Sequence, residues 1–182
     1  MMKSRVITVS AISAGLVAIC LAIGIYVEIV DLISLVLSSV FVILPLYLKS
    51  YKGALLTYLA GGVLGLLIGW FNFVYSFVFP AYFAFFGLFP IIACLLREKK
   101  INKFFYHTIG LIWGLAAAYG VYFYYTLVMG LDFANLPHYL IWIKDYLIVV
   151  VGVVGVVFYF VYERFITLAK TLIDKYMGKI IK

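Results

Sequence analysis

The residues of this chain able to hold a small molecule gather in a few short stretches. Trp70, Asn72 and Tyr75 lie together in IGWFNFVYSF, and Tyr119, Tyr122, Tyr125 and Thr126 recur along a later apolar run. A third group stands in LDFANLPHYLIWIKDYL, where Asp132 and Asn135 precede His138, Trp142, Lys144 and Asp145. Glu28 and Asp31 form a fourth. Aromatic walls with a few polar anchors are the mixture that small-ligand sites use, and these groups predict a cap over a cavity. Tyr and Trp also collect at membrane interfaces without binding anything, and that alternative stands for each aromatic taken singly.

Lys144 and Asp145 interrupt the start of an otherwise apolar run, where a charge is costly and turns toward protein or water. As helix neighbours they point about 100° apart, so they are not simply each other's partner and are assigned to ligand contact or lid closure. Pro80 and Pro90 divide FPAYFAFFGLFPIIACLL. Each removes a backbone donor and frees a carbonyl, which a buried helix tolerates; the resulting kink directs Tyr82 toward the interior, among the candidate ligand contacts.

Catalytic chemistry finds no constellation. There is no nucleophile elbow, metal-ligand spacing or phosphate-cradling glycine loop, and no enzyme activity, metal or cofactor is expected. His107 and His138 fall at opposite ends of one segment, while Cys20 and Cys94 sit within apolar runs as small buried hydrophobes. Gly61, Gly62 and Gly65 of GGVLG, like Gly152 and Gly155, suit close helix packing.

The elements that must position these residues are membrane helices. The chain has 182 residues, 68% of them hydrophobic, and a mean hydropathy of +1.21. No soluble domain of that length buries so much apolar surface, so lipid is the solvent. Runs long enough to cross about 30 Å of hydrocarbon predict an all-α bundle of six transmembrane helices over 5–28, 32–48, 53–70, 73–96, 104–130 and 139–162. The first run is too long for the core of a signal peptide, and Ile19 stands where a lipoprotein cleavage box needs a small residue, which predicts a retained helix. With the N-terminus cytoplasmic, every basic residue except Lys144 falls inside, and both termini are then cytoplasmic at the plasma membrane. Beyond Tyr162, Phe165, Leu168, Leu172, Tyr176 and Ile180 keep a 3-to-4 spacing among dispersed lysines, which predicts a basic amphipathic helix over 163–182 lying on the inner leaflet.

Within the first helix, Ser10, Ala14, Ala18 and Ala22 recur every fourth residue and form a shallow stripe. Six short-linked helices with both ends inside and such a stripe resemble the substrate-binding S components of energy-coupling factor (ECF) transporters. LPLYLKSYKGALLTYLAGGVLGLLIG resembles that family's second-to-third helix passage, and YFAFFGLFPIIACLLREKK its fourth helix with a basic inner loop. The resemblance implies a subunit that captures a vitamin or other micronutrient from outside. It also implies docking onto a membrane coupling protein driven by two ATPases, with the helix-one stripe (Ala14 and Ala18, extended by Ser10 and Ala22) as part of the docking face. The residue patterns of thiamine, riboflavin or biotin binders are absent, and FFGLFPII is closer to uncharacterised S-component-like proteins. The alternative is a scaffolding or lipid-binding bundle that transports nothing; a self-sufficient transporter is disfavoured by the lack of internal repeats.

Overall fold

The computed structural model of the chain describes residues 4–70, 77–99, 101–128 and 141–180, with the backbone alone at Glu28, Tyr125, Val128, 141–145, 147 and 177–180. Six helices in it are long and apolar enough to cross a membrane. They are α1 (Ser4–Tyr26), α2 (Asp31–Leu48), α3 (Tyr51–Ile68), α4 (Val78–Glu98), α5 (Lys103–Phe123) and α6 (Ile141–Ile180). The turn from α2 to α3 is tight: Lys49 ends one helix in the left-handed region (φ 53°), and the Ser50 hydroxyl caps the next by accepting from Gly53 N at 3.1 Å.

Small residues explain why α1 and α3 meet so closely. A Cβ on Gly53 would lie 2.8 Å from Ser10 Oγ, one on Gly61 2.7 Å from Val17, and one on Gly65 2.8 Å from Leu21. The partners advance together along both helices, so α1 and α3 run parallel, as two helices joined through an intervening α2 must. Thr57, in the same register, donates to the Ser10 carbonyl at 3.2 Å. In lipid, where apolar surface alone does not drive helices together, such close backbone approach is what holds a pair.

α4 is the innermost element, with 67% of its span buried against 17% in α5. A single π turn, Tyr82–Phe86, divides it, closed by Gly87 N donating to the Tyr82 carbonyl at 2.8 Å. α5 and α6 pair antiparallel, with Tyr106 beside Glu163, Gly110 against Tyr159 and Gly155 against Ala118.

α6 departs from expectation, because no break occurs at residue 162. It is one helix of 40 residues, about 60 Å long and twice the hydrocarbon thickness. The stretch beyond Tyr162 holds no Gly or Pro until Gly178. It also carries a second apolar stripe, Ile166, Ala169 and Ile173, which is buried or half-buried and continues the face of Tyr159 and Tyr162. The residues expected to lie on the leaflet, Phe165, Leu168, Leu172 and Tyr176, share the exposed side of this rod. The two free cysteines, Cys20 and Cys94, are buried.

Candidate functional site

The interrupted segment of α4 is stitched into place by side chains from four other helices. Pro90 has no N–H to offer the carbonyl one turn earlier, that of Phe86. Ser39 Oγ of α2 donates to this carbonyl at 2.8 Å, and Tyr162 Oη of α6 donates to Ser39 Oγ at 2.6 Å. Tyr58 Oη of α3 donates to the Phe83 carbonyl at 3.1 Å, and Trp113 Nε1 of α5 to that of Ala84 at 2.7 Å. Tyr82 returns the contact by donating to the Tyr58 carbonyl at 3.0 Å. Around this frame Phe85 stacks on Phe89 with centroids 4.9 Å apart, and Phe158 on Tyr162 at 5.7 Å.

Beside the π turn lies a cavity of about 390 Å³, bounded by Ala81, Phe85, Ala117, Val121, Val154 and Phe158. It occupies the half of the bundle away from the Lys- and Arg-bearing ends of α2, α4 and α5. Its lining is almost wholly apolar. Val154 on its rim is 60% exposed, so the opening faces the surface that lipid covers rather than only the bundle end. Small residues create the space: Gly114, Ala117 and Ala118 on α5 face Gly155 on α6 without the tight contacts seen between α1 and α3.

Among the described residues, none of the expected ligand contacts lines this cavity. Asn72, Tyr75 and His138 lie outside the described residues, as do Asp132 and Asn135. Trp142, Lys144 and Asp145 fall on the first turns of α6, Glu28 opens a short 3-10 turn before α2, and Tyr125 falls in a π turn after α5; only their backbone is described. Trp70 is 70% exposed at the end of α3. Tyr122 is half-buried. Tyr82 does point inward, but it is fully buried and engaged with Tyr58, so it supports the π turn and does not line the cavity.

The small-residue stripe requires a correction. Ser10, Ala14 and Ala18 are 1–3% exposed, turned against the chain's own α3, and only Ala22 is half-buried. They form an intramolecular seam, because the glycines and Thr57 of α3 offer a matching shallow face. What α1 turns outward instead is Thr8, Ala11, Ile12 and Ile19, beside Gly15, whose Cβ position is open.

A polar cluster whose members stand far apart in sequence sits at the basic end. Arg97 of α4 pairs with Glu163 of α6, which also accepts from Tyr106 Oη of α5 at 3.4 Å. The guanidinium stacks over the Tyr106 ring at 5.1 Å, and His107 Nδ1 lies 3.4 Å from Tyr159 Oη. Glu163 is only 6% exposed; the signal available in sequence was its place four residues after Tyr159, on the inward stripe. Among the described residues no group of His, Cys, Asp and Glu is arranged to hold a metal.

No protein-family model, curated protein or solved structure matches this chain.

Proposed function

We propose that the chain is a substrate-capturing membrane subunit of an ECF-type importer, and that its substrate is a small, largely apolar molecule taken from the outer side. The observation that carries this reading is the apolar cavity of about 390 Å³ beside the π turn, on the face opposite the basic ends. A cavity of this character selects by shape and by removal of apolar surface from water, with few directional contacts. The chain offers no nucleotide-binding motif, so energy comes from partners: a coupling membrane protein with two ATPases. Because Ser10, Ala14 and Ala18 are occupied internally, docking falls to the outward side of α1 around Ala11 and Gly15. Both termini are cytoplasmic in this reading, and the membrane is a bacterial plasma membrane.

The same apolarity favours a second reading, an S-component-like lipid-binding scaffold whose cavity holds an acyl chain and whose partners move nothing. Native mass spectrometry of the protein purified from its own host in mild detergent separates the two. A bound non-lipid molecule, or a coupling subunit with ATPases in the same complex, supports capture for import. Phospholipid as the sole companion sinks the importer reading and leaves the scaffold.

A further inference from the structure

The basic end of the bundle holds a second pocket, of about 620 Å³, between the start of α5 and the middle of α6. Arg97, Lys103 and Arg164 line it, together with Tyr106, His107 and Thr167. Its one carboxylate among the described residues, Glu163, is buried and already engaged by Arg97 and Tyr106. Lys103 and Arg164 are exposed, and among the described residues neither has an ion-pair partner. The cations therefore outnumber the anion, and two of them are unspent. The helix end adds little, because Asn102 accepts from Phe104 N at 3.1 Å and closes that donor.

The surroundings narrow the ligand. Phe104 and Phe105, directly after Lys103, are 76% and 63% exposed, and Ile101 before it is 37% exposed. Large apolar side chains this exposed on a transmembrane helix are covered by lipid chains, so the pocket opens where a lipid's polar end meets its tails. Guanidinium and ammonium groups at that level attract anionic head groups, and an arginine fork matches phosphate oxygens. We propose that this pocket binds the phosphate of an anionic lipid, with Lys103 and Arg164 supplying the charge and Glu163 holding Arg97 in position. A free phosphate ester or inorganic phosphate shares this chemistry, and the experiment distinguishes the two sources.

The full chain in mild detergent is mixed with phosphatidylglycerol or phosphatidylcholine of equal chain length, and retained lipid is counted by native mass spectrometry. In parallel, the melting temperature is followed with millimolar inorganic phosphate. Phosphatidylglycerol retained in preference to phosphatidylcholine, with the preference falling on the order of tenfold in K103Q/R164Q, supports the lipid site. K103R/R164K, which keeps the charge, retains the preference, and so does K49Q/K52Q, which removes two charges from the other basic turn. Phosphate that raises the melting temperature of the wild type and not of K103Q/R164Q, without any lipid preference, supports the site and assigns it a free phosphate. The proposal is overturned if the wild type responds to neither. It is also overturned if the response survives K103Q/R164Q at an unchanged melting temperature, or if K49Q/K52Q removes it equally.

Discussion

The Tyr162 hydroxyl donates to the Ser39 hydroxyl at 2.6 Å, across 123 positions of sequence, at the point where Ser39 in turn serves the Phe86 carbonyl. This chain of bonds exists because Pro90 cannot. A buried carbonyl in lipid must find a donor, and α2 and α6 provide it in series. Two helices are thereby fixed against the π turn of α4, the element that walls the apolar cavity.

Ser39→Ala removes the donor to Phe86 and the acceptor of Tyr162 together. The Tyr162 hydroxyl also donates to the Phe86 carbonyl at 3.4 Å and keeps both groups partnered, so the expected cost is that of one weakened bond, on the order of 1 kcal/mol. Pro90→Ala restores an N–H one turn after Phe86, so Ser39→Ala costs less in that background. Thermal unfolding of the four proteins of the cycle in detergent checks this, and additivity within error would contradict the role given to Pro90.

Arg97 and Glu163 are unequal partners, and their single substitutions are expected to differ. The Glu163 side chain is 7% exposed and that of Arg97 30%. Arg97→Ala strands a buried carboxylate, a class of change that costs roughly 3 kcal/mol or more. Glu163→Ala leaves a guanidinium that still reaches water and stacks on Tyr106, and it destabilises less. Melting temperatures of the two variants in the same detergent provide the measurement; the reverse order would show that Arg97 is the more deeply confined charge.

Gly61 and Gly15 provide a matched test of the seam. A side chain on Gly61 meets Val17 at 2.7 Å and the Ala14 carbonyl at 3.2 Å, whereas Gly15 has nothing within 4 Å. Gly61→Leu and Ala14→Leu are expected to lower folded yield sharply, since α1 and α3 cannot separate without losing their whole register. Gly15→Leu leaves folding intact and, in the importer reading, weakens association with a coupling subunit. Size-exclusion recovery of the three variants reads out the first effect, and co-purification the second.

The fourfold spacing of Ser10, Ala14 and Ala18 was legible in the sequence, and so was the companion spacing of Gly61 and Gly65. What spacing does not carry is which surface meets which, because in lipid a seam within the chain and a face for a partner call for the same small residues. The tail of α6 shows the same limit. Phe165, Leu168 and Leu172 and the adjacent stripe Ile166, Ala169 and Ile173 both fit a helical period, and only packing against the end of α2 decides that the second is inward. Pro90 was readable as a donor lost, but Ser39, 47 positions from the carbonyl it serves, was not. Glu163 falls one residue past the span expected over 139–162, and its burial rests on Arg97 and Tyr106, 66 and 57 positions away. The apolar cavity leaves no polar mark in the sequence, because its walls are mostly Phe, Val, Ala and Gly.

Filling that cavity separates ligand capture from folding. Ala117 is half-buried and lines the cavity opposite the π turn, so Ala117→Phe places a ring in open volume instead of in packed core. Overpacking a filled interior would cost about 1–3 kcal/mol, but a ring entering a void of about 390 Å³ gains contacts in place of clashes. The variant is expected to melt at or above the wild-type temperature while losing any co-purified apolar molecule and the stabilisation that molecule confers. Mass spectrometry of extracts from equal amounts of both proteins measures the loss. An undiminished ligand in a stably folded Ala117→Phe protein would place capture outside this cavity.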